Sequence, residues 1–479
     1  MVTVLSTIAG SETNVSEEAL EELRARVRGH VLSQEDEAYA RVRAPYNAMQ
    51  IDQPGLIVQC AGAADVVDAV NFARSNGLEV AVRGGGHSVA GLSSSNGGML
   101  IDLSLMNGVL VDADERVARV QGGALWGDVD RETQIHGLAA PGGIVSDTGV
   151  AGLTLGGGEG WIRRKYGLAC DNLVSAEVVG ADGQVRVASA DSNPDLFWAL
   201  RGGGGNFGIV TSFTFRLHPL GPIVAFAGVF YPLADAVTIL RKFRDFGDSA
   251  PDEVSALAIG VTMPADPHLP PEVHDQQCLV IGGLYAGSAD EGMTALQPLR
   301  EFGTPLADIS QPMPYTAVQS AFDGFFPRQH WQSYWKSAFV KELSDDAIDL
   351  IAEKAHERPS PLSMMVTFLW GGAINKVAAG DTAFTERSAA WMVSVDGNWP
   401  EPSENDDNVA WVRDTWSAIS QFGTGAVYLN FTGISGEGAD VGVDSAHGKN
   451  LRRLSEIKAK YDPNNFFRLN NNIIPAERA

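Results

Sequence analysis

Clustered glycine is the feature that most constrains this chain. Of its 479 residues 53 are Gly, and the runs Gly84–Gly86, Gly97–Gly98, Gly122–Gly123, Gly156–Gly158 and Gly202–Gly205 all fall in the first half. Runs of this kind mark backbone that turns sharply or presses close to a ligand. Between them lie strand-like segments at Val80–Val82, Met99–Leu103, Val117–Val120 and Ile209–Phe215. Residues 16–29 read as an amphipathic helix with Ser16 as N-cap and Gly29 at its end, and Ala64–Ser75 as a second helix stopped by Asn76-Gly77. The pattern is that of a mixed α and β chain. No period of 20 to 50 residues repeats, which excludes a solenoid.

Charge narrows the partners. The formal net charge of −24 repels phosphate backbones and anionic lipid, so neither nucleic acid nor a membrane is an expected partner. No run approaches the ~18 apolar residues of a membrane span. The first thirty residues lack the basic start and apolar core of a secretory signal, so a cytoplasmic protein is expected. Cys60, Cys170 and Cys278 are far apart and read as buried free thiols, with neither a disulfide framework nor a metal site. A hydrophobic fraction of 44% suffices for one or two sizeable cores.

Three segments carry the chemistry. In Arg83–Ser88 (RGGGHS), three glycines let backbone N–H groups converge on an anion such as a pyrophosphate. His87 could then offer a ring nitrogen to a cofactor; a turn with a solvent-facing His is the plainer alternative. The loop is neither a G-x-G-x-x-G helix opening nor a Gly-Lys-Ser/Thr phosphate loop. Pro141–Leu173 places two glycine turns around an apolar stretch, followed by Arg163-Arg164-Lys165, which reads as an exposed basic patch. Ala199–Pro219 runs from four glycines through Asn206-Phe207-Gly208 into a β-branched strand, as if backbone were pressed on a flat or phosphorylated ligand. After a break at His218–Pro222 the glycine clusters thin out. Seven of the ten tryptophans then fall between Trp331 and Trp416, which predicts a second unit with an aromatic face. The Asn-rich C-terminus is expected to close back on the first unit.

Taken with QPGLIVQC (53–60), YWKS (334–337), WGGAIN (370–375), AVYLNF (426–431) and KYDPNNFFRLNNNIIP (460–475), these segments resemble the vanillyl-alcohol oxidase superfamily, with its PCMH-type FAD-binding domain. Within it they are most similar to the berberine bridge enzyme-like FAD-linked oxidases. The resemblance runs from about Pro54 to Pro475. It implies an α+β fold in two parts. Residues 1–221 (PCMH-type core about 50–221) and 426–479 would form the FAD-binding domain. Residues 222–425 would form a central substrate domain whose antiparallel sheet covers the flavin. It also implies FAD attached covalently to His87. Arg83, Gly84, Gly85, Gly86, Ser88 and Val89 would cradle the pyrophosphate. Val145, Asp147, Thr148, Gly149, Gly152, Gly156, Gly157, Gly160 and Trp161 would line the flavin. Ile209 and Val210 would meet the adenosine half. Tyr428, Asn430, Asn470 and Asn472 would close the site.

The departures from the family pattern carry information too. Many relatives have a second covalent link through a cysteine where this chain has Val145, so a single link is expected. Relatives that oxidise alcohols place a tyrosine base where this chain has Phe431. Tyr428 and Tyr334 then stand as the candidate bases, with His330 and Asp396 as further acceptors. The aligned roof positions Phe368, Trp370 and Met392 favour a flat or hydrophobic substrate. Thr148, at the oxygen-gating position, has the size of the permissive valine. The resulting expectation is an oxidase that moves a hydride from a small alcohol or amine, such as an aromatic secondary metabolite, to FAD and then to O2, giving H2O2. The alternatives are a flavin dehydrogenase with another acceptor and a non-catalytic flavin-binding protein. Nothing in the sequence signals an oligomeric state.

Overall fold

A computed structural model of the chain describes residues 2–433 and 439–477. The first helix, Glu17–Arg26, starts where the Ser16 hydroxyl accepts the Ala19 N–H at 3.2 Å, with Glu17 and Glu18 in its first turn. It stops at Val27, short of Gly29, where the backbone turns extended. The second helix, Ala63–Ser75, ends at Asn76 as expected. It crosses over between Leu56–Gln59 and Val80–Arg83, two strands that both pair in parallel with Met99–Asp102 between them. His30–Leu32 adds an antiparallel edge to this small sheet. The glycine loop 84–86 therefore leaves directly from a strand end.

A second, antiparallel sheet runs in the order Val185–Ser189, Leu173–Val179, Ile209–Arg216, Val117–Gln121, Val109–Asp112. Gly122 and the Gly202–Gly208 segment sit at its ends, next to the first sheet's glycine loop. The long strand Ile223–Pro232 begins directly after the His218–Pro222 break. It belongs to an eight-stranded antiparallel sheet, counted among the described residues, that also contains Gln277–Tyr285, Val254–Thr262, Met364–Leu369, Trp391–Trp399 and Gln332–Val340. Side chains alternate across each of these strands. On the last two, Trp335, Phe339 and Met392 share one buried cluster, while Tyr334, Ala338, Trp391, Val393 and Val395 belong to the other. The second face is covered by the helices Ala236–Gly247, Asp345–His356 and Asn405–Ser420. The first face turns towards the glycine loops.

Two links hold the halves together. Arg163 is fully buried and donates to the carbonyls of Gly160, Ala256 and Leu369. Arg164 donates to Trp370, Pro251, Val254 and Ala250. The expected exposed patch is thus a clamp: the guanidinium groups satisfy carbonyls at the ends of roof strands that would otherwise be buried without partners. Among the three basic residues only Lys165 is part-exposed, pairing with Glu253 at 3.6 Å. The C-terminus does return to the first half. Asn206 grips it through Nδ2 to the Asn471 carbonyl (3.1 Å) and Oδ1 to the Ile473 N–H (2.9 Å). All three cysteines are buried and free. Among the described residues no helix is long and apolar enough to cross a membrane.

The interface carries a pH-sensitive element. Asp130, on the helix Trp126–Gln134, is buried and accepts Gln319 Nε2 at 2.9 Å from the helix Tyr315–Gln319. Burial pushes its pKa up to about 7, against the lowering effect of Gln319. A carboxyl raised in the folded state favours folding at low pH, and that contribution is lost as pH rises through about 7. Thermal melts should therefore show Asp130→Asn losing less stability than the wild type between pH 5 and pH 8. The difference should be on the order of a few kcal/mol. Parallel pH profiles would remove Asp130 from this role.

Candidate functional site

The glycine loops and the inner face of the eight-stranded sheet enclose a cavity of about 300 Å³. One wall is backbone. Gly84, Gly85, Gly86 and Ser88 line it together with Val145, Thr148, Gly149, Gly152 and Gly156. A Cβ on Gly85 would stand 2.3 Å from the Gly149 Cα, so the two loops cross with no room for any side chain. The far end is formed by Gly204, Gly205, Gly208, Ile209 and Val210, with Asn470 and Asn471 from the C-terminal segment. Neither Lys nor Arg is among the lining residues, so backbone N–H groups are what this wall offers an anion.

His87 stands on the same wall, mostly buried. Its ring stacks on Tyr46 with centroids 4.0 Å apart and planes at 15°. Its Nε2 lies 3.3 Å from Asp147 Oδ1, without the alignment of a hydrogen bond. Arg328 fixes Asp147 at 2.7 Å and also donates to the Gly85 carbonyl at 2.8 Å. Burial alone would raise the Asp147 pKa; His87 and Arg328 outweigh it and hold the carboxyl below its ordinary value.

The opposite wall is the sheet. In register across three strands stand Trp335, Asp396 and Met364, followed by Ser337, Ser394 and Val366, then Phe339, Met392 and Phe368. Phe322, Phe326, Phe431 and Tyr428 complete an aromatic surround. Asp396 is the carboxyl within it, 5% exposed, and accepts the Ser394 hydroxyl. Burial pushes its pKa up to about 7; Ser394 lowers it, and the nearby Glu159 raises it further. Glu159 also lines the cavity but is paired with Arg163 at 3.4 Å.

A cleft with a glycine backbone wall, a buried ring nitrogen and an aromatic roof suits a long, flat ligand with an anionic centre. The comparisons with known proteins agree. Residues 54–189 match the model of an FAD binding domain, and residues 427–474 match that described as berberine and berberine like. An uncharacterized FAD-linked oxidoreductase of Bacillus subtilis, YgaK, is 30% identical over 462 residues, 95% of this chain and 99% of that protein. This chain is a berberine bridge enzyme-like FAD-linked oxidoreductase. (R)-6-hydroxynicotine oxidase of Paenarthrobacter nicotinovorans is 40% identical over 194 residues, 40% of this chain and 42% of that one. The crystal structure of 6-hydroxy-D-nicotine oxidase from Arthrobacter nicotinovorans superposes with a TM-score of 0.82 at 27% identity, covering 94% of this chain and 98% of that one. The family places the protein in the vanillyl-alcohol oxidase superfamily, as the sequence motifs indicate.

Within this oxidoreductase the structure places several of the positions expected at the cofactor off the cavity wall. Arg83 follows Val82 on its strand and so faces away from the cavity; its guanidinium donates to the carbonyls of Val42, Arg43 and Ser93. Val89 lies in the core, its carbonyl held by Asn47 Nδ2 at 2.8 Å. Asp147 stands behind His87 rather than on the wall. Gly157 packs under Phe384 and Tyr428, and Gly160 against the Gly142 carbonyl. Trp161 stacks on Phe322 at 5.7 Å. Asn472 lies off the wall, because Asn206 holds the backbone on either side of it; Asn471 takes the place expected for it.

The two candidate bases change standing as well. Tyr334 is on the outer face of the sheet, under the Arg413 guanidinium at 5.8 Å, and reaches nothing in the cavity. Tyr428 does line the cavity, and Asn430 beside it. Its hydroxyl accepts the Gly158 N–H and Asn430 Nδ2, each at 2.9 Å, and burial raises its pKa far above the ordinary phenol value. It is a pivot between segments, poorly placed to lose a proton. His330 is exposed, its Nδ1 on the Arg328 carbonyl.

Proposed function

We propose that the protein is an amine oxidase carrying FAD on a single covalent link at His87. The observation that supports this reading best is Asp396: a buried carboxyl that reaches the cavity among Trp335, Met364, Val366 and Phe368 of the roof. Such a box suits a cation with an apolar body, because the carboxylate answers the charge and the rings answer the rest. 6-Hydroxynicotine, the compound named for the 40% identical relative, is itself an amine.

The residues divide the work. Backbone N–H groups of Gly84–Ser88 hold the pyrophosphate, Val145 to Gly152 and Gly156 the ring system, and Ile209 and Val210 the adenosine half. Asn430, Asn470 and Asn471 close the cleft. When bound, FAD supplies two-electron oxidation of the carbon next to nitrogen and passes the electrons to O2, so that amine and O2 yield imine and H2O2. Asp396 pairs with the incoming ammonium and takes its proton, which leaves a nitrogen lone pair free to drive hydride departure. Trp335, Phe326 and Phe431 exclude water from this step. Val145 leaves no second attachment point, and Thr148 keeps valine-like bulk where oxygen would approach. An anaerobic screen of amines and alcohols, read as bleaching of the flavin band, tests the reading. Bleaching by amines, with O2 consumed and H2O2 formed on readmitting air, is expected. Bleaching by alcohols alone would overturn it, and reoxidation only by a quinone would make the protein a dehydrogenase.

The covalent link has its own test. Acid-precipitated wild type should keep its yellow colour in the pellet, and His87→Ala should release all flavin to the supernatant. Asp147→Asn, which takes the charge from behind the ring, should slow attachment without preventing FAD binding. Covalent flavin in His87→Ala would exclude His87 as the attachment site.

A further inference from the structure

Beyond the main cavity the sheet face continues into a second chamber of about 130 Å³. The two share Ile259, Phe322 and Met364 as common walls. The register places both on one face of the sheet. Met364 is the direct cross-strand neighbour of Asp396, and the row Ser394, Val366, Ile259, Val280, Phe230 runs unbroken across five strands on the same face. The chamber is lined by Phe226, Phe230, Val261, Met263, Val280 and Phe325 among others, with Gln311 as its one polar side chain, at a mouth where Ile309 is 37% exposed. Phe322 borders both cavities, and its ring stacks on Trp161 at 5.7 Å.

Water gains little in a chamber with such walls, and an apolar ligand loses nothing there. Its nearest wall lies one strand from Asp396, its middle two strands away and its far wall, at Phe230, four. The middle of the chamber is thus on the order of 10 Å from Asp396, matched by an extended chain of about eight carbons. We propose that this chamber is a subsite for the apolar tail of the substrate, so that the amine oxidised here is amphipathic: its nitrogen is held at Asp396 and an alkyl or aryl body passes Phe322 into the side chamber. The assignment rests on the amine reading of Asp396 for its orientation, and on the chamber's own walls for its chemistry.

The test uses N-methyl-n-alkylamines from butyl to decyl with the anaerobic holoprotein. Affinity is read from the concentration dependence of flavin bleaching or, where no bleaching occurs, from the shift of the flavin band on binding. The dissociation constant should fall about three- to fourfold per methylene, on the order of 100-fold from butyl to octyl, and then level off. Val280→Trp fills the chamber from its floor and should flatten this dependence. Met313, on the edge strand Gln311–Pro314, also lines the chamber, and Met313→Trp should do the same from that edge if the first variant folds poorly. Chain-length dependence without bleaching would sink the amine-oxidation reading and leave the chamber assignment standing. Bleaching with no chain-length dependence, or a dependence unchanged in both Trp variants, would overturn the chamber.

Discussion

Asp396→Asn should lower the rate of flavin reduction by an amine about 10²- to 10⁴-fold, the usual worth of a placed proton acceptor. The substitution keeps the shape of the side chain and an oxygen for the Ser394 hydroxyl, so flavin content and fold should be retained. What it removes is the negative charge and the proton site. In the wild type the rate should rise as pH passes through about 7, where Asp396 becomes a carboxylate, and this limb should vanish in the variant. Stability should move the other way. A carboxyl raised by burial costs the fold stability as pH climbs from the unfolded-state value of about 4 to about 7, so Asp396→Asn should melt higher than the wild type above pH 7 and not below about pH 4. Tyr334→Phe is the companion measurement. Its ring lies on the outer face of the same sheet, so its reduction rate should stay near wild type. Stopped-flow reduction under anaerobic conditions reads all of these. A wild-type rate in Asp396→Asn would transfer the role to Glu159, the other carboxyl on the cavity wall.

Lys458→Ala should destabilise the protein by about 3–5 kcal/mol, because it leaves a buried charge without its counterion. Lys458 and Asp462 are both wholly buried and 2.7 Å apart. The ammonium also donates to the carbonyls of Asn206 and Phe467, and the carboxylate accepts the N–H groups of Phe466 and Phe467. One pair therefore ties the C-terminal segment to the loop that carries Gly204 and Gly205 onto the cavity wall. Burial lowers the Lys458 pKa, and Asp462 opposes that. Urea unfolding measures the loss. Deleting residues 461–479 removes Asp462, Asn470 and Asn471 together, and should yield insoluble or flavin-free protein. A truncated protein that is soluble and fully flavinylated would show that the cleft closes without this segment.

Much of the site was legible in the chain itself because its chemistry is backbone chemistry. Gly84–Gly86 precede His87 directly, and Gly149, Gly152 and Gly156 follow Val145 and Thr148 at fixed short spacings, so these residues reach the cavity wall together whatever the rest of the molecule does. Even here single steps misled. Arg83 is one residue past Val82 on a strand, and one residue reverses the face.

The roof was not legible in this way. All nine residues of Trp391–Trp399, and all but one of Gln332–Val340, are buried, since one face meets the cavity and the other a layer of helices. With both faces covered, polar and apolar residues do not alternate, and nothing local says which parity looks inward. The sequence could therefore offer Tyr334 and Asp396 alike as proton acceptors. Cross-strand register separates them, by setting Asp396 opposite Trp335 and Met364 on the cavity face and leaving Tyr334 behind the sheet. The same holds for Arg163 and Arg164, whose charge reads as surface until the roof strands bring carbonyls to meet it. Short-range glycine chemistry was written in the order of residues; the place of Asp396 and the shape of the cavity depend on strands far apart in the chain lying side by side, and only the folded sheet brings them together.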